Sequence, residues 1–100
     1  MSAKLTVGEC QSLVERMMNE HGWQKRSMPM LAMFMAEELG EVCKAVGNLE
    51  IKGKTPERVQ ELALELADVF NYCCCLSTKY GIDLGAAFKQ KIDINSKRVW

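Results

Sequence analysis

Leu62-Ala63-Leu64-Glu65-Leu66-Ala67-Asp68-Val69-Phe70-Asn71-Tyr72-Cys73-Cys74-Cys75-Leu76-Ser77-Thr78 carries two charges, Glu65 and Asp68, and is otherwise apolar or small on almost every side. As a helix, such a segment has little face to give to water and is expected at the centre of a helical bundle. Thr55 supplies its N-cap, Pro56 its first position, where a missing N–H costs nothing, and Gly81 its stop after Tyr80. Glu65 and Asp68 lie three apart, hence on neighbouring positions of one face. The reading therefore predicts enclosed carboxylates, and an isolated buried carboxylate costs several kcal/mol unless it is neutralised or paired.

The same problem arises upstream in Glu37-Glu38-Leu39-Gly40-Glu41. Ser27 can cap a second helix with Pro29 in its first turn, expected to run to about Val46 with Gly47 as its stop. At about 100° per residue, Leu31, Phe34, Met35, Leu39, Val42, Ala45 and Val46 cover one broad arc. Glu38 falls near its middle, Glu41 at its edge and Glu37 further round. The stretch from Gly47 to Lys54 lacks a clear period and reads as a connecting loop.

Thr6 followed by Glu9 forms a capping-box pattern that starts a first helix through Val7, Cys10, Leu13, Val14, Met17 and Met18, ending before Gly22. His21 to Arg26 is a polar connection interrupted by Trp23. Asp83 can cap a fourth helix with Leu84, Ala87, Phe88 and Ile92 inside, and Lys91, Asn95 and Arg98 sharing another face. With no strand-like alternation, the predicted architecture is all-α: a four-helix bundle forming a single domain over residues 1–100. So apolar a third helix in so short a chain suggests completion by oligomerisation, as a homodimer or homotetramer.

Thirteen basic residues balance thirteen acidic ones, which removes any bulk electrostatic attraction to a nucleic acid polymer or an anionic membrane. Five cysteines form neither an even framework nor a zinc pattern, and Cys73, Cys74 and Cys75 read as small buried hydrophobes. The start, Met1 to Leu5, has no apolar leader, and the longest apolar stretch contains Pro29 and runs into two glutamates. The expected setting is cytoplasmic, with no membrane contact.

Glu37, Glu38, Glu41, Glu65 and Asp68 could form a solvated acidic face, but their helical phases argue against it. Neither helix offers a basic residue at matching spacing, although Arg58 and Lys44 lie nearby. A cation is the better partner, and all-oxygen ligation selects a hard ion, Mg2+ or Mn2+. A di-iron bundle would add Glu-x-x-His pairs, whereas His21 stands alone.

Glu37-Glu38-x-x-Glu41 followed by Glu65-x-x-Asp68 resembles the paired acidic signature of MazG-like nucleotide pyrophosphohydrolases, in the all-α nucleoside triphosphate pyrophosphatase superfamily. The resemblance extends roughly from Trp23 to Arg98. It implies hydrolysis of a nucleoside triphosphate to the monophosphate and pyrophosphate, with Mg2+ held by Glu38, Glu41, Glu65 and Asp68. Glu37 matches the glutamate that orients or deprotonates the attacking water. Tyr72, Lys91 and Asn95 resemble nucleotide-contacting positions, Arg98 adds a phosphate contact by charge, and Trp23 resembles an aromatic that packs on the base. Two alternatives stand beside it: a phosphoribosyl-ATP pyrophosphohydrolase, which shares the fold and a similar motif, and a non-catalytic helical interaction module with a vestigial metal site.

Overall fold

Side-chain caps fix where each helix begins. Thr6 Oγ1 accepts from the Glu9 N–H at 3.0 Å while Glu9 Oε1 accepts from the Thr6 N–H at 3.0 Å, completing the capping box. Ser27, Thr55 and Asp83 each accept from the backbone N–H three residues on. A computed structural model describes residues 4–100 as helices α1 (Val7–His21), α2 (Met28–Lys52), α3 (Pro56–Lys79) and α4 (Leu84–Ser96), with a 3-10 turn at Trp23–Lys25. Met1, Ser2 and Ala3, part of the stretch read as leaderless, lie outside the described residues. The fold is all-α, as the patterning predicts, with no strand among the described residues.

One boundary differs from the sequence reading. Instead of stopping at Gly47, α2 continues to Lys52 and ends at Gly53, whose φ of 93° suits glycine. Tertiary contact overrides the propensity penalty: Gly47, Asn48 and Leu49 are half-buried. Arg58 secures the new end, because its Nη1 donates to the carbonyls of Lys52 and Gly53, both at 2.8 Å. A cation at a helix C-terminus also meets the dipole favourably.

Joined by so short a turn, α2 and α3 run antiparallel and form the main packing seam. Covered residues on α2 recur at Leu31, Met35, Glu38, Val42, Ala45 and Leu49, and on α3 at Arg58, Leu62, Glu65, Val69, Tyr72 and Leu76. This alternation of three and four is the spacing of a helix–helix seam. The core lies at one end, where Val14 and Met18 of α1 meet Leu31, Cys74 and Cys75. Burial pushes the Cys74 thiol up to about 11, so it acts as an apolar filler rather than a nucleophile.

Two side chains tie the remaining pieces to this core. The Gln11 amide donates to the Ile82 carbonyl at 2.8 Å and accepts from the Leu84 N–H at 3.0 Å, holding the α3–α4 turn against α1. Lys79 Nζ donates to the Gln24 carbonyl at 2.6 Å and anchors the α1–α2 connection.

The chain buries less than its patterning predicts. Only Cys74, Cys75 and Ser77 of α3 are buried, while Leu64 is 57% exposed and Leu66 and Phe70 are also exposed. The expected inner face of α4 is likewise open, with Phe88 64% exposed and Ala87 and Ile92 exposed. The cause is geometric: α4 packs chiefly on α1, and α1 covers α3 only toward its C-terminal half. A radius of gyration of 15.7 Å confirms the open shape, against about 13 Å for a compact chain of this length.

Gly47→Ala tests the continuous helix. Nothing lies within 4 Å of a Cβ added there, so the substitution should stabilise the chain by about 0.5–1 kcal/mol in urea unfolding. Leu31→Ala, at the 1% exposed centre of the core, should instead cost about 2–5 kcal/mol. A destabilising Gly47→Ala would contradict the helical assignment.

Candidate metal centre

Helical phase carries carboxylates into the seam. Glu38 lies midway along α2 between Leu31 and Ala45, the two buried residues of that helix. Glu65 occupies the matching stripe of α3 between Leu62 and Val69, with Asp68 one turn on at its edge. The antiparallel pairing brings them together: one carboxylate oxygen from each of Glu38, Glu65 and Asp68 lies within 4.8 Å of the others.

Such proximity perturbs the group nearest the middle. Burial raises the Glu38 carboxyl above the usual range, and the charges of Asp68 and Glu65, a hydrogen bond with Glu65, and the charge of Glu41 push it the same way. The expected full enclosure does not occur in this chain. Glu38 and Glu65 are half-buried and Asp68 is exposed, because α1 covers the seam only at its Leu31–Cys74 end.

Glu41 stands outside the set of three. It lies with Glu65 in an adjoining polar cleft of about 240 Å³, together with Lys44, Asn48 and Glu61. Glu37 is exposed one turn before Glu41, on the open flank. The basic residues nearest in sequence do not neutralise the cluster: Arg58 caps α2, and Lys44 makes no ion pair with these carboxylates. The donor set is therefore hard oxygen without a protein counter-ion, which fits a divalent cation.

An aromatic corner adjoins the other side. Phe34, one turn before Glu38, and Tyr72, one turn after Asp68, hold their rings 6.1 Å apart at 50°. The Arg26 guanidinium lies 5.0 Å from the Trp23 ring centre and 5.2 Å from that of Phe34, and Trp23 also stacks on His21 at 5.1 Å. Burial raises the Tyr72 hydroxyl, Arg26 opposes this by charge and a hydrogen bond, and the Glu38 charge adds to it. Tyr72 thus links the guanidinium to the carboxylates. The sequence reading left Arg26 in a polar connection and Phe34 in the core arc. The missed signal is the three-residue spacing of Trp23 and Arg26, which one 3-10 turn places on the same side, closed by the Arg26 N–H to Trp23 carbonyl bond at 3.0 Å.

The residues expected from the C-terminal part of the chain are not gathered here. Lys91 is exposed on α4, and Asn95 is half-buried with an unpartnered Oδ1. Arg98 does not share their helical face, since α4 ends at Ser96; its guanidinium lies 4.4 Å from the Trp100 ring centre. Among the described residues, none of the three is hydrogen-bonded or ion-paired to the carboxylate cluster.

A carboxyl whose folded pKa is raised binds protons more readily in the folded chain than in the unfolded one. Its electrostatic penalty is therefore present above the folded pKa and fades as pH falls toward the unfolded value near 4.5. In metal-free protein, Glu38→Gln should raise the melting temperature at neutral pH, with the advantage disappearing at about the unfolded pKa and below. Added Mg2+ should raise the melting temperature of the wild type and leave that of Glu38→Gln nearly unchanged. Differential scanning fluorimetry across pH, with and without Mg2+, reads both effects.

No curated protein matches the chain. The family model of the MazG nucleotide pyrophosphohydrolase domain matches residues 26–99, which include both acidic segments, the seam between them and α4. With well over half of its length matched, and with the all-helical architecture in place, the chain belongs to the MazG nucleotide pyrophosphohydrolase family.

Proposed function

We propose that the chain is a Mg2+-dependent nucleoside triphosphate pyrophosphohydrolase that converts ribo- or deoxyribonucleoside triphosphates to monophosphates and pyrophosphate. Membership of the family supports nucleotide pyrophosphohydrolase activity in general. The observation that carries the finer reading is the convergence of half-buried Glu38 and Glu65 with exposed Asp68 at the α2–α3 seam. Glu41, coupled by charge to Glu38, completes the proposed ligand set. Mn2+ suits the same oxygen donors.

Mg2+ bound here would supply charge neutralisation at the phosphate oxygens and would make a water more acidic. Glu38, Glu41, Glu65 and Asp68 would hold the ion. Glu37, on the open flank, orients the attacking water and takes its proton as the water oxygen bonds to phosphorus and the bond to the β-phosphate oxygen breaks. Pyrophosphate leaves, and no covalent enzyme intermediate forms. Tyr72 and Trp23 border the nucleoside side of the site, while Lys91 and Asn95 contact the nucleotide and Arg98 adds a phosphate contact. Because α4 stands away from the cluster within one chain, we assign those contacts to an oligomer, a homodimer or homotetramer built over the exposed apolar residues of α3 and α4.

Pyrophosphate release from a panel of ribo- and deoxyribonucleoside triphosphates with Mg2+ tests the reaction. Loss of a partner beside a metal ligand already lowers activity by about 10–100-fold, so Glu38→Gln and Asp68→Asn, with unchanged circular dichroism, should abolish it. Turnover of phosphoribosyl-ATP alone would replace this reading, and no turnover with any substrate would favour a non-catalytic helical module. Light scattering should give a dimer or tetramer mass; a concentration-independent monomer would contradict the assembly.

A further inference from the structure

Arg26 is a half-buried cation whose neighbours are rings rather than carboxylates. Its guanidinium lies over both Trp23 and Phe34, and none of the described carboxylates pairs with it within 4 Å. Contacts of this kind use the flat faces of the guanidinium; Tyr72 takes a hydrogen bond at its edge, and the remaining N–H donors of the five face outward for a ligand. The surrounding groups also narrow the kind of ligand. The ring faces suit a flat ring, and the guanidinium beside them supplies a polar contact at its edge. The carboxylate cluster that would meet the phosphates through a cation stands one helical turn away, past Phe34 on α2 and past Tyr72 on α3.

We propose that Arg26 is the specificity-determining residue of the nucleotide site, reading the edge of a base that lies in the Trp23–Phe34–Tyr72 corner. A guanidinium has five donors and no acceptor. It therefore matches bases that present carbonyl acceptors, above all guanine and hypoxanthine, whose O6 and N7 accept a bidentate fork. Adenine and cytosine place an amino donor where guanine and uracil carry a carbonyl, so they meet Arg26 donor to donor. The substrate class at this site is nucleoside triphosphates with oxo bases, purines foremost. This inference rests on the proposed triphosphate hydrolysis and adds the base to it.

The test compares dGTP, dITP, dUTP, dATP and dCTP as substrates of the wild type, Arg26→Ala and Arg26→Lys, with the binding of GMP and AMP measured by calorimetry in parallel. The wild type should prefer the oxo bases. Arg26→Ala should lower kcat/KM for dGTP and dITP by about 10–100-fold, the loss of a charged hydrogen-bonding fork, while dATP and dCTP change little, so that the preference collapses. Arg26→Lys should recover only part of it, since an ammonium lacks the planar fork. A merely structural role would lower all five substrates together, and that outcome, or an unchanged preference, would overturn the assignment. If the wild type hydrolyses none of them, the hydrolase reading fails, and the ratio of GMP to AMP affinity in wild type and Arg26→Ala still decides the role of Arg26.

Discussion

The structure depends on like charge held in an apolar seam. Glu38 and Glu65 occupy positions that the spacing of α2 and α3 otherwise gives to Leu31, Ala45, Leu62 and Val69. With aliphatic residues there, the pair would be an ordinary antiparallel hairpin; with carboxylates, repulsion and lost hydration oppose the packing at its centre. The helices stay together because the seam is held on both sides of the charge. Leu31, Cys74 and Cys75 lock one end into the core, and Arg58 closes the other by binding the last carbonyls of α2.

That constraint limits how the other helices can lie. If α1 ran across Glu38 and Glu65, it would remove the water that still solvates them and raise the desolvation penalty further. It crosses instead at the Leu31–Cys74 end, through Val14 and Met18, and leaves the charged stretch open on its flank. The α4 helix follows α1, tied by Gln11 to the turn before it. The consequence is an apolar groove of about 350 Å³ between Val7, Phe70, Cys73, Leu84 and Phe88. A chain that keeps its carboxylates accessible is left with uncovered apolar surface, and the proposed assembly of copies answers both features at once.

Local chemistry was legible in the sequence, and long-range cover was not. Thr6, Ser27, Thr55 and Asp83 cap as read, because an N-cap is decided within a few residues. The apolar spacing of α2 likewise places Glu38 within a covered arc, since phase along a helix is a local property. Gly47 looks like a stop in sequence, but contact with α3 and a guanidinium from beyond the turn carry α2 past it. The same limit explains α3 and α4. Their apolar faces were visible, but whether another helix of the same chain covers them depends on where α1 crosses.

The seam is also polarised along its length, which the proposed substrate site requires and a bare ion site does not. On one side of the carboxylates lie Glu41, Glu61, Lys44 and Asn48, a polar cleft able to offer both donors and acceptors. On the other stand Trp23, Phe34 and Tyr72 around a guanidinium with no carboxylate partner among the described residues. A hard cation alone requires only the oxygens between them. A nucleotide has a flat neutral end and an anionic end, and a seam with an aromatic corner on one side of its carboxylates can treat the two differently. Tyr72 joins these regions, because its hydroxyl responds both to Arg26 and to Glu38. With Tyr72 one turn from Asp68 and its ring against Phe34, the two halves of the seam are neighbours rather than separate surfaces.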